Sequence, residues 1–271
     1  MNFGRAFALA LLSGWSWGGL EGQTMAMAAA TGASSAELQE VVPTYGAGPE
    51  IVAAWHLQVE SAMTVLYGRH SYVADLPESV GRLGIGHRME LRFTSSNMVY
   101  DPSQDAEERR IQFQDLSAGM KVGVSLPNHV LPQAAMLMVS GPTGGPLQTS
   151  GTYDPGASLM WEQGTKHGFT LVENVQAVRT SAGGARQTHW IPGMTVAHGI
   201  TKAASLTVEY AAVAGMEAGA SNIVDLNLSY FTTGMRQFDL RVGFVQDGSG
   251  FRNLLSLGYA FNLPRHGRKV E

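Results

Sequence analysis

The chain has 271 residues, of which 44% are hydrophobic and only 15% charged, with a net charge of -4. An ordinary soluble domain is about 25% charged, so an exterior that faces water on every side is disfavoured. The lack of cysteine excludes a disulfide scaffold, a zinc knuckle and a thiol nucleophile, and the lack of a basic run leaves no footprint for nucleic acid.

Residues 1–30 have the layout of an export signal. Arg5 gives a short positive region, an apolar run starts at Ala6, and Ala26-Met27-Ala28 or Ala28-Ala29-Ala30 offers a small-residue cleavage pattern. The run is shorter than the roughly 18 residues of a spanning helix, and Glu21 ends it. No later stretch approaches a spanning helix, so any crossing of a bilayer has to use strands. Residues 31–50 carry no strand pattern and are expected to form a periplasmic N-terminal segment, with a turn or two of helix possible over 35–41.

From residue 51 onward the pattern is period two, with polar breaks at short intervals. Strands are expected over 56–67, 76–86, 88–99, 111–124, 133–141, 153–162, 169–180, 188–198, 205–210, 224–230, 237–244 and 255–261. The later ones are the most regular. Val224, Leu226, Leu228 and Tyr230 oppose Asp225, Asn227 and Ser229; Phe238, Leu240, Val242 and Phe244 oppose Gln237, Asp239 and Arg241. Alternation falters at Val172-Glu173, which suggests a bulge.

The expected connections differ in length. Those at 86–88, 163–167, 199–202 and 232–236 are short, whereas 100–110, 142–151, 181–187 and 215–221 are longer or more polar. Short turns at one rim and long loops at the other fit an even-stranded membrane barrel with both termini in the periplasm. The polar faces are rich in Ser, Asn, Gln and Gly and carry charges of both signs, which suits a narrow wet lumen. Trp55, Tyr67, Tyr100, Trp161, Trp190, Tyr210, Tyr230 and Phe231 fall near expected strand ends, where interfacial girdles sit. The expected fold class is therefore all-β: an antiparallel transmembrane β-barrel of about 12 strands over 51–263, in the bacterial outer membrane, with a tail at 264–271. Its expected partners are outer-membrane lipid, a small-molecule solute and the barrel-assembly machinery.

Leu76-Pro77-Glu78-Ser79, Arg82-Leu83-Gly84 and Arg88-Met89-Glu90-Leu91-Arg92 follow one another across a tight turn. Pro142-Thr143-Gly144 closes a later strand, and Gly258-Tyr259-Ala260-Phe261 lies in the last. Over residues 51–263 this order resembles the family of outer-membrane transporters named for the MetA pathway of phenol degradation. The resemblance implies a barrel and the transport of small compounds, aromatic ones among them. Ten residues after the last aromatic depart from the family pattern.

The search for chemistry points away from catalysis. There is no G-x-S-x-G elbow and no H-E-x-x-H spacing. His87, His129, His167 and His198 sit in or beside short turns, while His56 and His189 fall near the polar face but are isolated. Asp101, Asp105, Glu107 and Glu108 cluster in one loop without the glycine a calcium loop needs. No cofactor or metal is expected, and an enzyme with its site at the extracellular rim is the least favoured reading. The residues expected to line the lumen are Glu60, Arg88, Glu90, Arg92, Asp115, Lys121, Glu209, Asp225, Asp239 and Arg241. Arg88, Glu90 and Arg92 share one face of one strand, either as part of a constriction or as internal ion pairs. The expected activity is passive passage of small solutes, with a lumen-plugged structural barrel as the alternative.

Overall fold

The computed structural model describes residues 47–69, 72–104, 110–124, 131–182, 185–215, 221–233, 235–247 and 250–263. The expected signal segment, the loop residues Asp105, Glu107 and Glu108, His129 and the tail lie outside them. Fourteen strand segments follow in order: β1 (Leu57–Tyr67), β2 (Tyr72–Gly84), β3 (Met89–Thr94), β4 (Met98–Tyr100), β5 (Ile111–Phe113), β6 (Ser117–Gly123) and β7 (Ala134–Ser140); then β8 (Asp154–Gly164), β9 (Phe169–Ala182), β10 (Ala185–Thr201), β11 (Ala204–Val213), β12 (Ser221–Thr233), β13 (Arg236–Asp247) and β14 (Gly250–Leu263).

Two of these divisions are interruptions within one wall strand. β3 pairs with β6 and β4 with β5. Across the break between them, the Gln114 amide donates to the Asn97 carbonyl at 2.8 Å. Counting each interrupted pair once gives twelve wall strands. All pairings are antiparallel, and β1 pairs with both β2 and β14, so the sheet closes without an edge. A closed sheet satisfies every ladder internally, which is what a bilayer demands.

The burial pattern fixes which face is which. Glu209, Asp225, Asn227, Ser229, Asp239 and Arg241 are buried, while Val208, Leu226, Leu228, Leu240 and Val242 beside them in sequence are exposed. An ordinary soluble barrel shows the reverse. Apolar residues outside and polar residues inside make this an outer-membrane barrel.

Aromatic rings cluster towards both ends of the wall. Phe238, Tyr259 and Phe261 meet near the end where β1 starts, and Tyr72 with Tyr100, and Phe244 with Phe251, meet near the other.

The connections expected to be short, β2 to β3, β8 to β9, β10 to β11 and β12 to β13, share the rim at which β1 starts and β14 ends, and the longer connection from β6 to β7 lies there too. The connections from β4 to β5 and from β7 to β8 lie at the opposite rim, as do the brief ones after β1, β9 and β13. Two expectations are corrected here. Residues 181–187 are not a long loop, because β9 continues to Ala182 and β10 begins at Ala185, with Gln187 opposite Thr180. The polar residues there belong to paired strand ends and not to a loop. There is also no bulge at Val172-Glu173: both ladders of β9 run through without a shift. The pattern faltered because Glu173 stands on the outer face, paired across the sheet with Trp161 and Met194. A bulge does occur between β1 and β2, where the register shifts between Ala62 and Thr64 opposite Leu76-Pro77. Proline suits that position because the ladder loses no amide donor there.

Candidate functional site

Period-two geometry sends alternate side chains of every wall strand inward, and the inner face divides into three arcs. The first lies on β1, β2, β3 and β6 near the short-turn rim. Its hub is Glu90, fully buried at the start of β3. The Arg82 guanidinium reaches it through Nε (2.9 Å to Oε1) and Nη2 (3.0 Å to Oε2), a bidentate charge-assisted pair. Arg92 Nε donates to the same Oε1 at 2.6 Å. Arg82 also donates to Glu60 Oε1 at 3.0 Å, and Gln58 Nε2 to that same oxygen at 2.7 Å. Lys121, fully buried on β6, donates to the Gly48 carbonyl at 2.7 Å.

The second arc lies on β11, β12 and β13. Arg241 Nη2 binds Asp225 Oδ2 at 2.5 Å and lies 3.4 Å from Glu209 Oε1. Asp239 Oδ1 accepts from Ser229 Oγ (2.6 Å), Gln237 Nε2 (2.8 Å) and Asn227 Nδ2 (3.3 Å). Gly243 is required beside this network, since a Cβ there would collide with Asp225 Cβ and the Val224 carbonyl. The third arc, on β7 to β10, is mostly uncharged. Ala134, Met136 and Met160 form a buried cluster extended by Met138, and Asp154, Ser158, Asn174 and Thr195 are the buried polar groups on the same arc. His189 on this arc shares a 2.8 Å hydrogen bond with Thr180.

Eight of the ten residues expected to line the lumen are buried on the inner face: Glu60, Glu90, Arg92, Lys121, Glu209, Asp225, Asp239 and Arg241. Arg88 is not. It is exposed in the β2–β3 turn, because β3 starts one residue later and period two does not extend into a turn. Asp115 is not on a strand either. It sits in the break between β5 and β6 and anchors the 141–153 loop, accepting from the Thr143 and Gly144 amides and from Thr149 Oγ1. Arg82 and Gln58 were missed. Arg82 shares parity with Gly84 and Val80, which carry no polar signal, while Gln58 could have been found from its spacing to Glu60.

The histidines at the turns, His87 and His167, are exposed. His198 stacks on Phe169 at the rim, with ring centroids 4.5 Å apart. Among the described residues no group of three or more His, Asp or Glu could hold a metal ion. At the long-loop rim a cavity of about 220 Å³ is lined by Val99, Asp101, Gln104, Arg110, Gln112, Leu147 and Gln148. Slight burial acts to raise the Asp101 carboxyl, but hydrogen bonds from Ser103 and Gln104 outweigh it and hold it below its ordinary value.

No family model and no curated protein matches the sequence. Solved structures do match the fold. A KdgM porin superposes with a TM-score of 0.53 at 8% identity, covering 76% of this chain and 99% of the other. A NanC porin gives 0.52 at 13% identity, covering 76% and 100%. A structure described as KdgM porin in complex with disordered oligogalacturonate gives 0.51 at 10%, covering 77% and 99%. At such identities the likeness is one of architecture: this chain shares a porin-type barrel.

Proposed function

We propose that this barrel lets small neutral or weakly polar solutes cross the outer membrane down their gradient. The observation that carries the reading is the inner wall: two charged arcs in which opposite charges are paired, beside a mostly uncharged arc built on Met136, Met138 and Met160. Rings of one sign select ions strongly. Among the described residues six buried carboxylates, those named above and Asp154 on β8, stand against four buried cations, so neither sign dominates and a polyanion such as oligogalacturonate is not the expected solute.

The pore-lining set proposed is Glu60, Arg82, Glu90, Arg92, Lys121, Glu209, Asp225, Asp239 and Arg241. The resemblance to the phenol-degradation transporters makes small aromatic compounds the first solutes to test. Liposome swelling with neutral solutes of increasing size, with and without the reconstituted barrel, tests the proposal. No flux for any solute through a demonstrably folded barrel sinks it. One observation favours the plugged alternative: residues 47–53 lie against the inner face, and Val52 is only 1% exposed.

A further inference from the structure

The chain preceding β1 does not hang below the rim. Val52 N donates to Glu90 Oε2 at 2.9 Å, Arg82 Nη2 reaches the Glu50 carbonyl at 3.3 Å, and Lys121 Nζ reaches the Gly48 carbonyl at 2.7 Å. Glu90, Arg82 and Lys121 are all fully buried inner-face residues. Ala47 packs on the Met136 and Met160 cluster of β7 and β8. The segment thus starts at β1 and passes β2, β3 and β6 to reach β7 and β8, the fifth and sixth positions around a twelve-strand wall.

The wall is shaped to admit it. A Cβ on Gly84 would collide with the carbonyls of Val52 and Ala53, and one on Gly123 would come within 3.2 Å of Ile51 Cγ1. Trp55, at a φ of 66°, takes the left-handed conformation where the chain reverses from the lumen into β1. Its amide is tied to the Gly84 carbonyl at 2.8 Å.

We infer that residues 47–53 form an internal plug, seated by Glu90, Arg82 and Lys121, that restricts flow through the short-turn end. This rests on reading the barrel as a solute passage. The seat uses main-chain groups on the plug side: one amide and two carbonyls. Such contacts can be released and remade without burying a new charge on the plug. The plug also masks the charges most able to sort ions, so opening it both widens the lumen and exposes Lys121 and Arg82.

Because the chain has no cysteine, an Ile51→Cys, Gly123→Cys pair can report on the seat alone. In oxidised outer membranes the two thiols should be protected from a maleimide polymer until reductant is added. Full labelling before reduction overturns the seat. In planar bilayers with potassium chloride, a barrel whose residues 47–53 are replaced by a Gly-Ser segment of equal length should conduct several-fold more than wild type. The oxidised cysteine pair should conduct less than its reduced form, which keeps the test decisive if the replaced barrel fails to fold. A conducting wild type whose current neither change alters overturns the plug alone. If wild type and replaced barrel are both folded and silent, the plug and the passage reading fall together.

Discussion

At the scale of single residues, Glu90 gathers donors from Arg82, Arg92 and the Val52 amide around one buried carboxylate. Removing a partner from a buried ionic cluster costs about 3–5 kcal/mol, because the charge left behind is uncompensated. Arg82→Met should therefore destabilise the refolded barrel by that order in urea, and Arg82→Met with Glu60→Gln should recover part of the loss. A single variant as stable as wild type would remove the cluster from the account. Arg88→Ala, out in the turn, should be neutral within about 0.5 kcal/mol. The lipid face has its own signature. Leu226→Arg or Leu240→Arg should cost about 2–4 kcal/mol near the midplane, whereas Asn227→Arg, one position away but inside, should cost less. A larger loss at Asn227 would mean that the faces are reversed.

At the scale of elements, strands were legible where large apolar residues alternate with charged ones. β12 and β13 were read with the right face outward because Leu226, Leu228, Leu240 and Val242 leave no second phase. β2 was harder, since the bulge at Leu76-Pro77 shifts its parity halfway along and Gly81 and Gly84 hide the phase around Arg82. The seat of residues 47–53 was not legible at all. It uses mainly main-chain groups, which every residue carries, so no side-chain pattern announces it. β9 adds a test of its own: Glu173 is an acid on the outward face between Trp161 and Met194. Replacing it with leucine should stabilise the bilayer-inserted barrel by about 1 kcal/mol, the scale expected of a charge near the interface. A destabilised Glu173→Leu would show that the carboxylate has a partner it needs.

For the whole molecule, the mixed charges of the inner wall predict weak ion selectivity. The reversal potential across a potassium chloride gradient should stay near zero, and a strongly anion-selective current would contradict the pairing described for Arg82 and Arg241. Export predicts a mature chain that begins after Ala28 or Ala30, which mass spectrometry of the membrane-extracted protein checks. A chain still starting at Met1 would refute it.

The seam between β1 and β14 also sets an order of events. Leu57 pairs with Leu263 and Tyr67 with Asn253, so the partners are separated by roughly two hundred residues of chain, the kind of non-local contact that forms slowly. Until β14 has been synthesised and delivered, β1 and β13 each present an unpaired backbone edge that hydrocarbon does not tolerate. Insertion cannot finish strand by strand from the N-terminus; the sheet has to be held open and shielded until its last strand arrives. A chain ending anywhere before Gly250 therefore loses its closure, and with it the membrane, rather than a fraction of its stability.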